Sequence, residues 1–429
     1  MKTIAFDLFR TFIGAASNTP RGIDRVDIGY ATQFFADPET RNIGLLPSPR
    51  HMGVVSAAEA RRFAAIVEGH WRESKAPGDD RLYTWLRRRL AGEMATRPPV
   101  ARISHSPGGA LVRYTKLLAE ARRSPLRPAL SSVPRGSVYV NTGQVLLGWS
   151  WFFDWLDQRP DVKPVFMMYD LIPVLHPEYS GPNLSRHHKR AVATLARRAA
   201  GMIAISHAAA DEIRESLKAW GRGDMPIHVT PLPVGDVFLA PGDKDARGNA
   251  APYFVAVGAI DQRKNLLLLL HVWREMAERP LTPIPKLVIV VVRGQRSAQL
   301  VDFMQLCPAL ADSVIEVNGL STPAMRELIR DARALLMPSF TEGFGLPVVE
   351  ALALGTPVIA SDIPVHREVG GAFGVYLDPL DGTGWLAEIE KRSAEGALEL
   401  GARRNALSLR RPQTWASYFD QVLPFINEL

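Results

Sequence analysis

The chain has 429 residues, which is longer than a single hydrophobic core usually supports, so its length predicts two domains. Hydrophobic residues make up 47% and charged residues 22%, as in globular proteins that fold in water. The formal charge of +7 is moderate and compatible with phosphorylated substrates, acidic lipids or nucleic acid. Cys307 is the only cysteine, which excludes an internal disulfide framework and a thiolate metal cluster.

The first residues, Met1–Asp7, are typical of a strand rather than a signal peptide, because Asp7 and Arg10 interrupt the apolar run. The longest apolar runs, around Leu266–Val272 and Leu287–Val292, fall far short of the roughly 20 residues that a membrane-spanning helix needs. We therefore expect a cytoplasmic protein, either free or peripheral on the inner face of the cytoplasmic membrane.

Apolar strands alternate with amphipathic helices along the first half of the chain. Strands are predicted at Thr3–Phe6, Asn42–Leu46, Ser137–Val140, Pro164–Met168, Met202–Ile205 and His228–Pro231. Helices are predicted at Ala57–Glu73, Leu184–Ala200 and Ala208–Trp220, the first with Ser56 as its N-cap. This alternation predicts a parallel sheet with helices on both faces, from which the irregular segment 91–135 departs.

A polar segment at 239–252 is predicted to link an N-terminal domain, 1–238, to a C-terminal domain, 253–413. The last residues, 414–429, are predicted to form a helix that packs back on the N-terminal domain. Strands of the second domain are predicted at Tyr253–Val257, Lys286–Val292, Val314–Val317, Ala334–Met337, Pro357–Ala360 and Val375–Leu377. Its helices are predicted near Leu266–Ala277, Ser297–Cys307, Pro323–Asp331, Pro347–Leu354 and Trp385–Ala394, with Thr322 as an N-cap. The sequence thus predicts an α/β protein of two doubly wound, Rossmann-like domains that face one cleft.

The segment Thr341–Ala353 falls on a strand-to-helix turn at the carboxyl edge of the second sheet, where open α/β domains bind ligands. Gly343 and Gly345 would let the backbone approach a ligand closely, and Pro347 suits the first helical turn. The free N–H groups around Gly345–Val348 would favour a phosphate at this positive helix end.

Two carboxylates, Glu342 and Glu350, flank this position and would repel an anion unless they bind its hydroxyl groups. A carboxylate that accepts from two vicinal hydroxyls recognises a sugar, so Glu350 is predicted to hold a ribose and Glu342 the transferred sugar. A capped surface helix with an acidic first turn is the alternative interpretation.

A second loop, Gly258–Asn265, follows the first strand of the C-terminal domain and precedes a helix. Arg263 and Lys264 could neutralise a diphosphate leaving group there, and Asn265 suits the N-cap position. Alone, these residues are typical of a solvated loop. Together with the carboxylate segment downstream, they favour a ligand site.

These segments resemble the retaining glycosyltransferases of family 4, which have the two-domain GT-B fold. The matching motifs are the Glu-x7-Glu segment from Glu342 to Glu350, the Gly-x4-Arg-Lys-Asn loop from Gly258, and the tail Gly355–Ser361, which Asp362–Gly371 extends. The first half resembles a mannosyltransferase-like branch of bacterial surface polysaccharide and lipopolysaccharide synthesis, at Thr19–Val26, Val140–Gly143 and Tyr169–Tyr179.

The resemblance implies that Arg263 and Lys264 bind the donor diphosphate, Glu342 the donor sugar and Glu350 the nucleotide ribose. It places Gly22 near the donor phosphates and acceptor. The implied catalytic residues are Arg263, Lys264, Glu342 and Asp170, with Asp170 on the acceptor side. The implied donor site also includes Gly258, Gly343, Phe344, Gly345 and Leu346.

Two positions depart from the family pattern. Many relatives carry arginine where this chain has Ala259, so one phosphate contact is absent or supplied elsewhere. Many also carry histidine where this chain has Tyr169, which argues against a catalytic imidazole there.

The resemblance implies a retaining transfer of a hexose or deoxyhexose from a nucleotide sugar to a saccharide or polyprenyl-linked saccharide. GDP-mannose is the first candidate donor, and a GDP-deoxysugar or UDP-sugar comes next.

The only Asp-x-Asp pair, Asp243 and Asp245, lies in the predicted linker, so we expect no metal or other cofactor. A sugar-nucleotide epimerase of this fold and a non-catalytic scaffold are the alternatives. The missing Gly-x-Gly-x-x-Gly motif argues against dinucleotide oxidoreduction.

Basic residues cluster at three places in the N-terminal half. One helix carries Arg186, Lys189, Arg190, Arg197 and Arg198 beside His187 and His188, and the other groups are Arg87–Arg89 and Arg122–Arg123. Solvated helix faces are one interpretation, and docking to an anionic membrane is the other. No aromatic residues are interleaved with these cations in the pattern of nucleic-acid binders, so nucleic acid is not an expected partner.

Overall fold

The computed structural model describes residues 2–14, 22–37, 39–48, 51–72, 76–93, 126–240, 252–279, 284–293 and 298–429. The predictions on Asp243–Asp245, on Arg122 and Arg123, on Thr19–Arg21 and on most of the segment 91–135 lie outside these ranges. The described residues form two compact units. One contains those of 1–74, 104–232 and 415–429, and the other those of 75–103 and 233–414.

The first unit is built on an eight-stranded sheet with the strand order β4-β3-β2-β1-β5-β6-β7-β8. Its strands are β1 (Ile4–Asp7), β2 (Ile43–Pro47), β3 (Met52–Val55), β4 (Arg127–Pro128), β5 (Val138–Asn141), β6 (Lys163–Met168), β7 (Gly201–Ala204) and β8 (Ile227–Val229). The predicted parallel strands are all present. The strands β3 and β4 were not predicted. They pair antiparallel, with β4 at the edge of the sheet, so the sheet is mixed rather than wholly parallel.

The second unit is built on a six-stranded parallel sheet with the strand order β11-β10-β9-β12-β13-β14. Its strands are β9 (Tyr253–Ile260), β10 (Lys286–Arg293), β11 (Val314–Val317), β12 (Leu335–Met337), β13 (Val358–Ser361) and β14 (Gly374–Leu377). Each of them overlaps a predicted strand, because near-continuous apolar runs mark strands that helices bury on both faces.

The described helices are labelled in chain order. They are α1 (Phe9–Gly14), α2 (Gly22–Phe34), α3 (Ala57–Arg72), α4 (Arg81–Leu90), α5 (Ala129–Ser132), α6 (Asp154–Asp157), α7 (Ile172–Leu175), α8 (Pro177–Ser180), α9 (Pro182–Arg198), α10 (His207–Lys218), α11 (Asp236–Leu239), α12 (Leu266–Glu278), α13 (Ala298–Leu306), α14 (Thr322–Asp331), α15 (Leu346–Ala353), α16 (Pro364–Gly370), α17 (Gly382–Ala394), α18 (Ala397–Ser408) and α19 (Trp415–Glu428). Within the described part of the chain, every helix falls short of the length and apolarity that crossing a bilayer requires.

The predicted cap of α3 at Ser56 is confirmed. The Ser56 hydroxyl accepts from the Glu59 N–H, and the Glu59 carboxylate accepts from the Ser56 N–H, which makes a capping box at α3. The predicted cap of α14 at Thr322 is wrong by one residue. Ser321 has extended backbone and accepts from the Ala324 N–H, so Thr322 is the first helical residue.

The C-terminal helix α19 is part of the first unit. The Tyr418 and Tyr30 hydroxyls lie 2.8 Å apart in the core, and the Asn427 side chain accepts from the Lys2 N–H. A Cβ built on Gly29 would lie 2.2 Å from the Trp415 ring, so α2 approaches α19 through a glycine. Residues 415–428 thus complete the core around α2.

Helix α4 belongs to the second unit, although the sequence analysis placed residues 1–238 in one N-terminal domain. Arg87 pairs with Asp331 at 3.3 Å, and Arg89 with Asp312 at 3.2 Å. The buried Asp80, which caps α4 and lies in the same unit, accepts from the Ser321 N–H. Arg87 and Arg89 of α4 therefore make ion pairs within the second unit. Their partners lie more than 200 residues away in the sequence, so the local sequence pattern does not predict these pairs.

Candidate functional site

Two loops meet at the carboxyl edge of the second sheet. One follows β9 and carries the short 3-10 turn Gln262–Lys264, and the other follows β12 and leads into α15. Because β9 and β12 are parallel neighbours, the loops at their carboxyl ends lie side by side. The Phe340 N–H donates to the Arg263 carbonyl at 2.9 Å and joins them.

The Glu342 carboxylate is the centre of this edge. Arg263 Nη1 donates to one carboxylate oxygen at 2.6 Å, and Lys264 Nζ donates to the other. The Ser339 hydroxyl donates to that second oxygen at 2.7 Å, and Arg263 also donates to the Thr341 carbonyl. The Glu342 side chain is only 7% exposed and that of Lys264 11%, so this is a nearly buried ion-pair network.

The network keeps Glu342 ionised. Burial by itself would raise the pKa of Glu342, but attraction to Lys264 and Arg263, with the hydrogen bonds from Lys264 and Ser339, lowers this pKa to about 2. Burial lowers the pKa of Lys264, because desolvation of the ammonium outweighs its attraction to Glu342. The structure thus concentrates two cations at one sheet edge, beside a carboxylate that stays charged at neutral pH.

Glycines shape both loops. A Cβ on Gly258 would lie 3.3 Å from Lys264 Cε, so the missing side chain leaves room for the lysine to pass. Gly345 has a φ of +90°, the left-handed region that favours glycine, and immediately precedes α15. Pro347 lies in the first turn of α15, as the sequence predicts.

The predicted donor-site residues of the second unit fall in these two loops and in α15. Gly258, Arg263, Lys264 and Glu342 are brought together, and Gly343, Phe344, Gly345 and Leu346 follow directly in the chain. Phe344 is buried. Glu350 lies one turn into α15 and is 6% exposed. Asn265 stands at the N-cap position of α12, but its side chain donates to the Pro379 carbonyl instead of capping the helix.

The other two predicted site residues lie in the first unit. Gly22 is the first residue of α2. Asp170 follows β6, and its carboxylate accepts from the Ile172 N–H at 3.1 Å, which fixes the start of α7. The neighbouring Tyr169 is buried, and burial raises its pKa well above the ordinary value, so it remains a neutral phenol.

His366 is a residue of this edge to which the sequence analysis gave no role. Its ring is fully buried, and Nδ1 lies 3.0 Å from the Ser361 carbonyl. Since a carbonyl only accepts, Nδ1 carries the proton of the neutral ring and Nε2 is left as an acceptor. Nε2 has no hydrogen-bond partner among the described residues, and it lies 3.8 Å from the Cβ position of Gly345.

Neutral His366 is consistent with its surroundings, because burial lowers its pKa against the attraction of Glu342. The matching segment Asp362–Gly371 contains this histidine. The spacing of residues in the sequence, however, does not show that the His366 ring packs beside Gly345. His366 follows β13, which lies two strands away from β9, the strand that leads to Lys264.

A second buried polar cluster lies in the first unit, at the carboxyl ends of β1 and β5. Asp7 accepts from Tyr139 at 2.6 Å and from Asn141 at 2.9 Å. Asp27 accepts from Thr11 and Thr142. Burial raises the pKa of Asp27 to about 7, against the hydrogen bonds of the threonines, and burial also raises the pKa of Asp7.

Within the described ranges, no group of three or more His, Cys, Asp or Glu side chains is arranged to hold a metal ion. That the protein works without a metal stays a prediction.

Comparison with known proteins connects the second unit with a family. Residues 243–399 match the family described as Glycosyl transferases group 1. The chain is 28% identical over 233 residues to the serotype-specific mannosyltransferase WbdA of Escherichia coli, covering 49% of this chain and 27% of that protein. It is 36% identical over 141 residues to the O-antigen chain mannosyltransferase RfbU of Salmonella typhimurium, covering 32% of this chain and 37% of that protein. The chain thus spans less than half the length of these relatives.

Solved structures share the fold at low sequence identity. Anabaena HepE in complex with UDP and glucose matches with a TM-score of 0.61 and 16% identity over 100% of both chains. A sucrose-phosphate synthase from Thermosynechococcus elongatus matches with a TM-score of 0.59 and 17% identity, over 100% of this chain and 99% of that one. The predicted GT-B fold of two Rossmann-like domains and the resemblance to mannosyltransferase-like glycosyltransferases are confirmed.

Proposed function

We propose that this protein is a retaining glycosyltransferase that moves a hexosyl or deoxyhexosyl group from a nucleotide sugar to a saccharide acceptor, since residues 243–399 match the group 1 glycosyltransferases. The observation that carries the proposal is the convergence of Arg263, Lys264 and Glu342 at the carboxyl edge of the second sheet. A non-catalytic scaffold has no need for two cations held together in a nearly buried network, because removing such charges from water is costly.

The two cations suit a nucleoside diphosphate leaving group. Negative charge grows on the diphosphate as the bond to the sugar breaks, and positioned cations in a water-poor site stabilise it without reorganising. In the free protein Arg263 and Lys264 both form ion pairs with Glu342. A bound donor diphosphate would therefore share these two cations with the Glu342 carboxylate. Glu342 is then also within reach of the sugar next to the diphosphate, the role that the sequence analysis predicts.

GDP-mannose is the first candidate donor, because the relatives named above are mannosyltransferases. A GDP-deoxysugar or a UDP-sugar is the second, and the fold-level neighbour HepE was solved with UDP. Glu350, buried one turn into α15, is proposed to hold the nucleotide ribose. Gly343–Leu346 are proposed to line the phosphates through their backbone.

A front-face displacement would retain the anomeric configuration of the transferred sugar without a protein nucleophile. The bond between the anomeric carbon and the diphosphate oxygen breaks, and the acceptor oxygen bonds to the same face of that carbon. The acceptor proton passes to an oxygen of the departing diphosphate. The protein positions both substrates, and Arg263 and Lys264 stabilise the leaving group.

The acceptor is proposed to be a saccharide or polyprenyl-linked saccharide of surface polysaccharide synthesis, since RfbU is named for the O-antigen chain. Asp170 is its proposed contact in the first unit, and Gly22 is proposed to lie near both the donor phosphates and the acceptor. We also propose that catalysis needs no metal. Activity that is lost in EDTA and restored only by Mg²⁺ would disprove this part.

The first test is a thermal-shift panel of GDP, UDP, ADP, dTDP and NAD on the wild type, Glu350→Ala and Glu350→Gln. One nucleoside diphosphate at a hundred times its Kd should stabilise the wild type by about 2.7 kcal/mol. The stabilisation should fall in both Glu350 variants and persist in Arg279→Gln, which alters an exposed ion pair of the same unit.

The outcome separates the remaining alternatives. If no nucleotide stabilises the wild type, the scaffold interpretation replaces the transferase. If a nucleotide binds and the free nucleotide sugar changes without any acceptor, the protein is a sugar-nucleotide epimerase.

A further inference from the structure

Exposed aromatic side chains lie beside the basic helix α9 of the first unit. Trp149 is 47% exposed and Trp151 60% exposed. The Trp149 ring contacts His187 of α9 edge to face, with the ring centroids 4.7 Å apart. Leu184, in the first turn of α9, is 45% exposed. Trp149 and Leu184 therefore face solvent at the cationic helix, and the exposed Trp151 lies two residues after Trp149 in the chain.

The cations of α9 fall into two groups. Arg197 and Arg198 pair with Asp157, so their charges are balanced within the unit. Arg186, Lys189 and Arg190 are exposed, and none of the three has an ion pair with a residue that the structure describes. Helix α9 contains no Asp or Glu, so nothing on the helix itself offsets these three charges.

Helical geometry places the two kinds of side chain side by side. Arg186, Lys189 and Arg190 are spaced i, i+3 and i+4, which puts them on one face of α9. Leu184 and His187 are spaced i and i+3 on the adjoining face, where Trp149 packs. We call Trp149, Trp151, Leu184, Arg186, Lys189 and Arg190 the aromatic–basic patch.

We propose that the aromatic–basic patch docks the first unit on a bilayer rich in anionic phospholipid. Tryptophan prefers the boundary between headgroups and acyl chains, where its ring is apolar and its N–H stays hydrated. Each Lys or Arg near an anionic membrane strengthens binding by roughly fivefold. The apolar face of α9 itself packs into the core through residues such as Val192 and Leu195, so the exposed Trp149, Trp151 and Leu184 would supply the apolar contact with the bilayer.

The structure favours α9 over the other basic groups of the sequence. Arg87 and Arg89 pair with Asp331 and Asp312 in the second unit, so they are not free for lipid. One face of the Trp151 ring is covered by Phe152, with the ring centroids 3.6 Å apart.

The helix that carries the patch also contacts the element next to the proposed acceptor residue Asp170, an extension that rests on the proposed function. Asp170 fixes the start of α7, and α7 packs against α9. Docking through α9 would hold this part of the first unit near the membrane, where a polyprenyl-linked acceptor resides.

The test is sedimentation of the full chain with vesicles of phosphatidylglycerol or of phosphatidylcholine, at low and high salt. The wild type should bind the anionic vesicles and dissociate at high salt. Combining Arg186→Gln, Lys189→Gln and Arg190→Gln should weaken binding by roughly a hundredfold, from the three single factors. Trp149→Ser with Trp151→Ser should weaken binding and abolish quenching of tryptophan fluorescence by brominated lipid.

The matched control is Arg214→Gln with Lys218→Gln on α10, whose exposed cations pair with Asp211 and Glu215. It should bind as the wild type does. Absence of wild-type binding to anionic vesicles, equal loss in the control, or unchanged quenching in the tryptophan variant would overturn the proposal. So would full retention of binding by the triple variant.

Activity separates this proposal from the proposed function. With a water-soluble acceptor, the triple variant should turn over as the wild type does. A wild type that binds vesicles but transfers no sugar would disprove the transferase and leave the docking surface intact.

Discussion

Arg263 Nη1 lies 2.6 Å from a carboxylate oxygen of Glu342, and Lys264 donates to the other oxygen of the same group. Both cations that the sequence assigns to the donor diphosphate are thus already engaged by an internal anion. Without that anion, two buried cations would repel one another in a medium that screens charge poorly. Glu342 therefore has a structural role in the free protein besides any role toward the donor sugar.

Arg263→Gln and Lys264→Gln should each lower kcat by roughly 10²–10³-fold, because each removes a cation that stabilises the leaving diphosphate. Initial rates with saturating nucleotide sugar and acceptor measure this loss. Arg279→Gln serves as the control for removal of one positive charge from the second unit and should keep the wild-type rate. Wild-type kcat in both site variants would contradict the proposed role.

Glu342→Gln should lower the stability of the second unit at pH 7 by about 3 kcal/mol, since it leaves two cations without their buried partner. Thermal unfolding of this variant and of Glu275→Gln, an exposed ion-pair control, measures the difference. Pyrophosphate should raise the Tm of Glu342→Gln more than that of the wild type, because it can replace the missing anion. An equal Tm gain in both proteins would refute this account.

The Glu342 carboxylate also predicts that the protein loses folding stability at acidic pH. The folded-state pKa of Glu342, about 2, lies below its ordinary value of 4.5, so its contribution is present above pH 4.5 and lost as the pH falls toward 2. Glu342→Gln should lack this part of the pH dependence. The comparison needs Tm series of both proteins between these two pH values.

Gly345→Ala should weaken nucleotide binding, because alanine resists the φ of +90° and would shift the turn that precedes α15. Gly92→Ala is a matched control, with a φ of +83° in the same unit and no atom within 4 Å of its Cβ position. Both should lose about 1–2 kcal/mol of stability. Only Gly345→Ala should raise the Kd for the nucleoside diphosphate, and an equal rise in Gly92→Ala would contradict the assignment.

Asp27→Asn should flatten the pH dependence of stability in the first unit. Burial raises the pKa of Asp27 from 3.8 to about 7, so the fold favours the protonated carboxyl. Its stabilising contribution is complete below pH 3.8 and is lost as the pH rises to about 7. Tm should therefore fall between these limits in the wild type and fall less in Asp27→Asn. Parallel Tm curves for the two proteins would show that another group titrates.

Periodicity predicted the buried parallel strands well, because strands such as β9 are continuous apolar runs between polar loops. The strand β3 was missed since Met52–Val55 is short, contains a glycine and precedes the Ser56 cap directly. Its identity as a strand depends on pairing with β2, which is a tertiary interaction.

The contacts within the candidate site likewise could not be predicted from the sequence, although its residues could. Residue types and spacing identified Arg263, Lys264 and Glu342 as chemically related. The ion pairs among them depend on the adjacency of β9 and β12, which the sequence does not display. His366 was not singled out for the same reason, because its significance comes from the buried contact with Gly345.

The membership of α19 in the first unit also bears on biosynthesis. A ribosome delivers residues 75–103 and 233–414 before it reaches α19, so the second unit has all of its described elements first. Until α19 emerges, the side of α2 that carries Tyr30 lacks its covering helix. The unit that begins the chain is therefore the last to close its core, and its nascent form is the one that we expect to depend on chaperones.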